Sequence, residues 1–486
     1  MEGSELPRVQ LVIVEEQGFT PAVIRGRGRS NSTRSTMAKL LQDSRASLKR
    51  LAARSGLKLQ QINFPPSPGN LKVSSERMRT PQVIQSKITR LGINKSPAGP
   101  IDRLPPEILI EVFIFAVKSL TGSDQLRVAV SIARVTTFWR LIAHAIPHLW
   151  TCLFIESARD MDRYHNHYMK LAGDLPLRVQ CTTSTMTLLF LLDFPSNTLQ
   201  RFTSVQLTTP VNIHRPWSYT HILPHLEELT IDIVYPDFSP AIGNKDRELM
   251  YFLVTPQLRS LTINVREYGF YRELHWRHPC TTLTALTIVT DADSELLDFL
   301  PVLTLLPQCS DSLESISIDV EISGPMYLSA QISTMPRLAE ICVRRGGCEL
   351  LQYILAPNVR AITLADPPES FTGDLAAFSE RASCLASLQR LSIHHMSGDD
   401  DDGRTIARCM AKMDNLAELL ITDSLVPLEL VRALTCYEDE RPLLPELRRF
   451  ELVNPENEHE LKLALRQMCA SRMGMDIVCR TSTVAP

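Results

Sequence analysis

What this chain lacks narrows its reading first. Uninterrupted apolar runs such as residues 112–117 and 188–192 fall well short of the roughly 20 residues a spanning helix needs, so no membrane partner is expected. The start Met1-Glu2-Gly3-Ser4-Glu5 lacks the basic opening and apolar core of a secretory signal, and a cytoplasmic and/or nuclear address is expected. The 11 cysteines are odd in number, begin only at Cys152 and include no C-x-x-C pair, which speaks against a disulfide framework and a zinc ribbon. No phosphate-cradling glycine loop, G-x-S-x-G elbow or H-E-x-x-H helix occurs, so no catalytic residue, metal or cofactor is expected. His165-Asn166-His167 and His394-His395 come nearest to metal ligands, but neither has a further Cys, His or acid at a matching spacing. The acidic run 399–402 lacks the spaced ligands of a calcium loop and reads as a solvated turn.

What is present has the balance of a globular protein, 44% hydrophobic and 22% charged, with length for two or three domains. The net charge of -3 hides an asymmetry. Residues 1–100 hold 17 Lys or Arg against 6 Asp or Glu, for +11, and the remainder holds 34 against 48, for -14. Residues 1–99 mix Ser, Arg, Pro and Gly without sustained periodicity, and the composition predicts a mostly disordered basic tail. Its exception is a basic amphipathic helix predicted over 36–55, where Met37, Leu40, Leu41, Leu48, Leu51 and Ala52 share a face. That helix has no interleaved aromatics, so we do not expect a nucleic-acid partner.

Residues 100–152 carry more apolar side chains than so short a helical unit buries by itself. Between Glu107 and Val117 only Glu111 is polar, so this helix predicts burial on both sides, its second face meeting another part of the chain or another protein. Pro105 and Pro106 suit a helix start, Ser123 or Asp124 can cap a second helix, and Phe138, Trp139 and Ile142 supply a third apolar surface. The run Leu104-Pro105-Pro106-Glu107-Ile108-Leu109, followed by Leu126, Val135, Phe138-Trp139-Arg140 and Pro147-His148-Leu149-Trp150, resembles an F-box of the kind common in mushroom-forming fungi. The chain has Val135-Thr136-Thr137 where many F-boxes show Val-Cys. The resemblance implies docking on the Skp adaptor subunit and through it a cullin, with Leu104, Pro105, Ile108, Leu109, Phe113, Leu126, Val135 and Trp139 in that interface or directly beneath it. It implies a non-catalytic substrate adaptor of a ubiquitin ligase. The alternative is a scaffolding solenoid without a ligase partner, whose helical unit is only a cap.

Over 153–480 a short motif recurs ten times at intervals of 21 to 32 residues, from Phe202-x-x-Val205-x-Leu207 through Leu258-x-x-Leu261-x-Ile263 and Leu388-x-x-Leu391-x-Ile393 to Leu447-x-x-Phe450-x-Leu452. Pro stands two residues before the first apolar position at Pro224, Pro256, Pro336, Pro357 and Pro445, so one turn launches several strands. Segments of helical pattern intervene, at 245–253, 293–306, 375–385, 405–413, 428–434 and 458–468. The fold class predicted is an irregular α/β solenoid, leucine-rich-repeat-like, preceded by a three-helix F-box and a basic tail. Residues 161–192 match no clear repeat and are expected to cap the array. The Asn that normally bonds the turn eight residues past the first apolar position is missing, at Pro210, Met396, Ser424 and Pro455 among others, which predicts a less uniform array.

Strand alternation sends the residue between the last two apolar positions to the open face. Thr287, Ser317 and Thr363 stand there in a stripe of small hydroxyls. Arg344, Arg345 and Arg390, within or just after the central strands, are candidates for an acidic or phosphorylated region of an unknown target protein.

Overall fold

The computed structural model describes residues 104–480 apart from 121, 157–166, 183–195, 211–220, 235–252, 267–280, 292–299, 322–330, 382, 398–399, 437–441, 454, 456 and 473–475. The basic tail with its predicted helix at 36–55, and His165 and Asn166, lie outside the described residues.

Among the described residues three helices come first: α1 Pro106–Lys118, α2 Ser123–Val135 and α3 Thr137–His144. Pro106 opens α1, where its missing N–H costs nothing, with Glu107 in the first turn and Lys118 in the last, both favourable to the helix dipole. No side chain caps α2, contrary to the expectation for Ser123 or Asp124. It begins directly after Gly122, whose φ of 56° turns the chain, and a Cβ there would sit 2.7 Å from Gln180 Oε1. The Thr136 that departs from the usual Val-Cys caps α3, its hydroxyl accepting the Trp139 N–H at 3.0 Å. Phe113 packs on Trp139 with ring centroids 4.9 Å apart, and Trp150 of the 3-10 turn Pro147–Trp150 donates its Nε1–H to the Ala143 carbonyl at 2.8 Å.

A 13-stranded parallel sheet follows, its spatial order the same as its order along the chain. Its strands are β1 Cys152–Ile155, β2 Leu177–Cys181, β3 Phe202–Pro210, β4 Glu228–Val234, β5 Ser260–Arg266, β6 Ala285–Thr290 and β7 Ser315–Val320. They continue as β8 Glu340–Arg345, β9 Ala361–Ala365, β10 Arg390–His394, β11 Glu418–Thr422, β12 Arg449–Val453 and β13 Asp476–Arg480. All ten recurring motifs lie at β3 to β12. Neighbouring strands pair motif residue to motif residue, Leu229 opposite Val205 and Leu261, Ile341 opposite Ile316 and Ile362, Phe450 opposite Leu419. Their thirty apolar residues are all buried, so each strand gives one face to a core that no single repeat could close. Within residues 161–192 the described part is a one-turn helix, Met169–Ala172, and β2.

The pairing from β3 to β12 is more uniform than the missing Asn predicts. A different set of polar side chains bonds the turns. The residue just before the first apolar position is Thr282, Ser312, Asn358, Ser387 or Asn415 in five repeats, and each donates to a backbone carbonyl of the preceding repeat's turn or strand start, at Pro256, Leu283, Pro336, Pro357 and Ala386. At the expected position, buried Ser424 accepts the Met396 N–H at 2.9 Å and so does locally what Asn would do.

Among the described residues five longer helices lie between strands: α4 Leu300–Cys309, α5 Phe371–Glu380, α6 Asp400–Met410, α7 Leu428–Ala433 and α8 Glu458–Ser471. Two expectations fail here. Leu253–Val254 is a short strand paired with His221–Ile222 and not a helix end. Asp400 to Asp402 form the first turn of α6 and not a free turn, because carboxylates suit the positive end of a helix, and Asp402 also accepts the Thr372 hydroxyl at 2.8 Å. No described helix is long and apolar enough to cross a membrane.

Candidate interaction surfaces

The first surface lies on α1. Leu109, Phe113 and Val117 are buried in the core, while Ile108, Val112 and Phe115 lie exposed at spacings of four and three, the Phe115 ring 76% so. The helix is therefore apolar on both sides but buried on one. Val135, at the end of α2, is 56% exposed. Of the eight residues the resemblance singles out, Pro105, Ile108 and Val135 are at the surface and Leu104 is half-buried. Leu109, Phe113, Leu126 and Trp139 are in the core, beneath the outer residues. Val112 and Phe115 were missed. Inside an unbroken apolar run, spacing alone does not tell which stripe the fold covers.

The second surface is the open face of the sheet. Thr287, Ser317 and Thr363 stand in one column, paired through Cys342 of β8, and all three are half-buried. The three arginines are answered from neighbouring strands. Arg344 Nη1 is 3.4 Å from Asp319 and its Nε 3.2 Å from Asp366, while Arg390 Nε is 2.7 Å from Glu418. Arg345 turns inward: its Nε meets Asp319 at 2.7 Å, and Nη2 donates to the Thr290 carbonyl at 2.6 Å. These side chains tie the sheet together across repeats 25 to 55 residues apart in sequence, which is why no local pattern revealed the pairing.

At the carboxyl ends of these strands, Arg345, Asp366, His395 and Asp423 occupy the same place in four successive repeats, each with φ between 47° and 55°. The left-handed residue turns the chain out of the sheet while its N–H still reaches the next repeat, Asp366 to His394, His395 to Thr422 and Asp423 to Val453. His395 bridges the row, Nδ1 2.7 Å from Asp366 and Nε2 3.8 Å from Asp423. Burial, then the neighbouring His395, pushes the His394 pKa down, so its imidazole favours the neutral form beside Thr422.

Among the described residues no group of three or more His, Cys, Asp or Glu is placed to hold a metal ion. Burial pushes the Cys181, Cys309 and Cys348 thiols up to about 12, which makes them inert packing residues. Comparison with family models and with curated proteins finds no match to this chain.

Proposed function

We propose that this protein is the substrate-recognition adaptor of a Skp-cullin-F-box ubiquitin ligase. In this reading the α1–α3 unit is an F-box that docks on the Skp subunit, and residues 153–480 are an irregular leucine-rich-repeat-like solenoid that holds a target protein beside the ubiquitin-charged partner. The chain itself does no chemistry and takes no cofactor; it acts by proximity.

The observation that carries the reading is the bare stripe Ile108, Val112 and Phe115. Apolar side chains aligned on a helix that already buries its opposite stripe in the core add nothing to the fold, and such a patch marks a protein contact. The rival, a scaffold whose helical unit only caps the sheet, draws on a different observation: residues of α1 to α3 and of the sheet belong to one continuous core. Capping by α2 and α3 leaves the outer stripe of α1 without a role.

The test is co-expression with a Skp subunit, comparing wild type with a Val112→Ser, Phe115→Ala variant and a Leu104→Ala, Pro105→Ala variant. Stoichiometric co-purification that the surface variant reduces at least about tenfold is expected, since large anchors dominate interfaces. A folded wild type that captures no Skp subunit would leave the scaffold reading.

A further inference from the structure

The two ends of the sheet differ. At one end β1 meets the helical unit: the Cys152 thiol donates to the Gly122 carbonyl at 3.6 Å, and Arg127 of α2 is 3.5 Å from Glu156. At the other end β13 pairs with β12, and among the described residues no strand pairs with its outer side. A bare strand edge presents backbone donors and acceptors that recruit a further strand, so natural sheets cover it.

The register dictates what such a strand must carry. Phe450 and Leu452 of β12 stand opposite Ile477 and Cys479 of β13, which continue the two apolar columns of the array. In the column one residue earlier the charge alternates from strand to strand, Arg390, Glu418, Arg449, Asp476, with Arg390 Nε 2.7 Å from Glu418. The next strand therefore fits when it offers a basic residue followed by two apolar residues with one between them.

Residues 6–14 offer that. Their sequence, Leu6-Pro7-Arg8-Val9-Gln10-Leu11-Val12-Ile13-Val14, holds the motif Leu6-x-x-Val9-x-Leu11 at the spacing of the repeats. Arg8 falls in the charge column, and the alternation runs on to Ile13, as that of β4 runs on from Ile231 to Ile233. The run Ile88-x-x-Leu91-x-Ile93 has the same spacing, but Gly92 inside it disfavours a strand and Lys95 ends the alternation.

We infer that residues 6–14 of the chain pair in parallel with the outer edge of β13, Arg8 opposite Asp476, Val9 opposite Ile477 and Leu11 opposite Cys479, closing the open end of the array. Residues 15–103 tether this segment to Leu104, and a flexible chain of those 89 residues spans about 50 Å. Twelve strand spacings place β13 at most roughly 58 Å from β1 along the sheet, so the tether suits the distance and keeps the segment at high effective concentration. That favours the chain's own segment over a second copy. The inference does not depend on the adaptor reading.

Cross-linking and hydrogen exchange test it on the full chain. Gln10→Cys with Val478→Cys places two thiols opposite each other in this register, and oxidation in dilute solution followed by non-reducing peptide mapping should find the link within one chain. Val12→Cys with Val478→Cys should give at least about fivefold less, since a partner shifted by two residues lies beyond disulfide reach. Val9→Asp with Leu11→Asp should speed exchange of the 476–480 amides at least about tenfold while leaving 315–320 protected, and Leu91→Asp with Ile93→Asp should change neither. Absence of the 10–478 link, or exchange at 476–480 that the Val9→Asp, Leu11→Asp variant leaves unchanged, would overturn the pairing. A link that joins two chains, 478 to 478 or 10 to 478, would overturn its assignment to the chain's own segment.

Discussion

Asp374 on α5 shows what one side chain costs this fold. It is buried, its Oδ1 accepts the Gln352 amide, and its Oδ2 has no hydrogen-bond partner among the described residues. Burial raises its pKa, and it raises that of Glu349 nearby, with Asp374 a second cause there. A carboxyl whose folded pKa lies above the unfolded value binds its proton more tightly when native. Its contribution is therefore fully present below the unfolded value and is lost as pH rises through the folded one. Asp374→Asn keeps the acceptor for Gln352 and removes the charge. We expect it to stabilise the protein by about 1 kcal/mol at pH 7 and to do nothing helpful at pH 3. Melting curves of both proteins from pH 3 to 8 check this, and a variant that melts lower than wild type at pH 7 would contradict it. None of this was legible beforehand, because Asp374 and Gln352 meet only through the fold.

Two positions on α1, two residues apart, make opposite predictions at the scale of the element. Phe113 is buried against Trp139, so Phe113→Ala should cost about 3–5 kcal/mol in urea unfolding. Phe115→Ala removes a ring that is 76% exposed and should leave unfolding within about 0.5 kcal/mol of wild type. Comparable losses at both sites would mean that Phe115 is covered in the folded chain. The strands were the legible elements. Motifs such as Leu258-x-x-Leu261-x-Ile263 recur with the same spacing, and those same residues are buried, paired with their counterparts in the neighbouring repeat. The helices were less so: α5 begins at Phe371, four residues before the predicted 375, since Phe371 itself is buried and anchors the first turn. Cross-repeat pairs such as His395 with Asp366 were invisible, because 29 residues separate partners that adjacent strands bring together.

At the scale of the whole molecule, the sheet is a stack in which each strand pairs only with the one before and the one after. The motif-to-motif pairing places no demand on the length of chain between strands, and the intervals do vary from 21 to 32 residues. Tolerance of length change is thus divided sharply along the chain. Four extra Gly/Ser residues between Glu369 and Ser370, exposed in the turn before α5, should cost at most about 0.6 kcal/mol, because loop entropy grows only with the logarithm of length. One residue inserted between Ile316 and Ser317 reverses every later side chain of β7, turning Ile318 toward solvent and Ser317 and Asp319 inward. That protein is expected to be insoluble or to melt at least 10 °C lower. Drift in length can therefore reshape the edges of such a protein from one descendant to the next while the six-residue motif stays fixed in size, so a reader comparing distant descendants should align the motifs and let the spacers float.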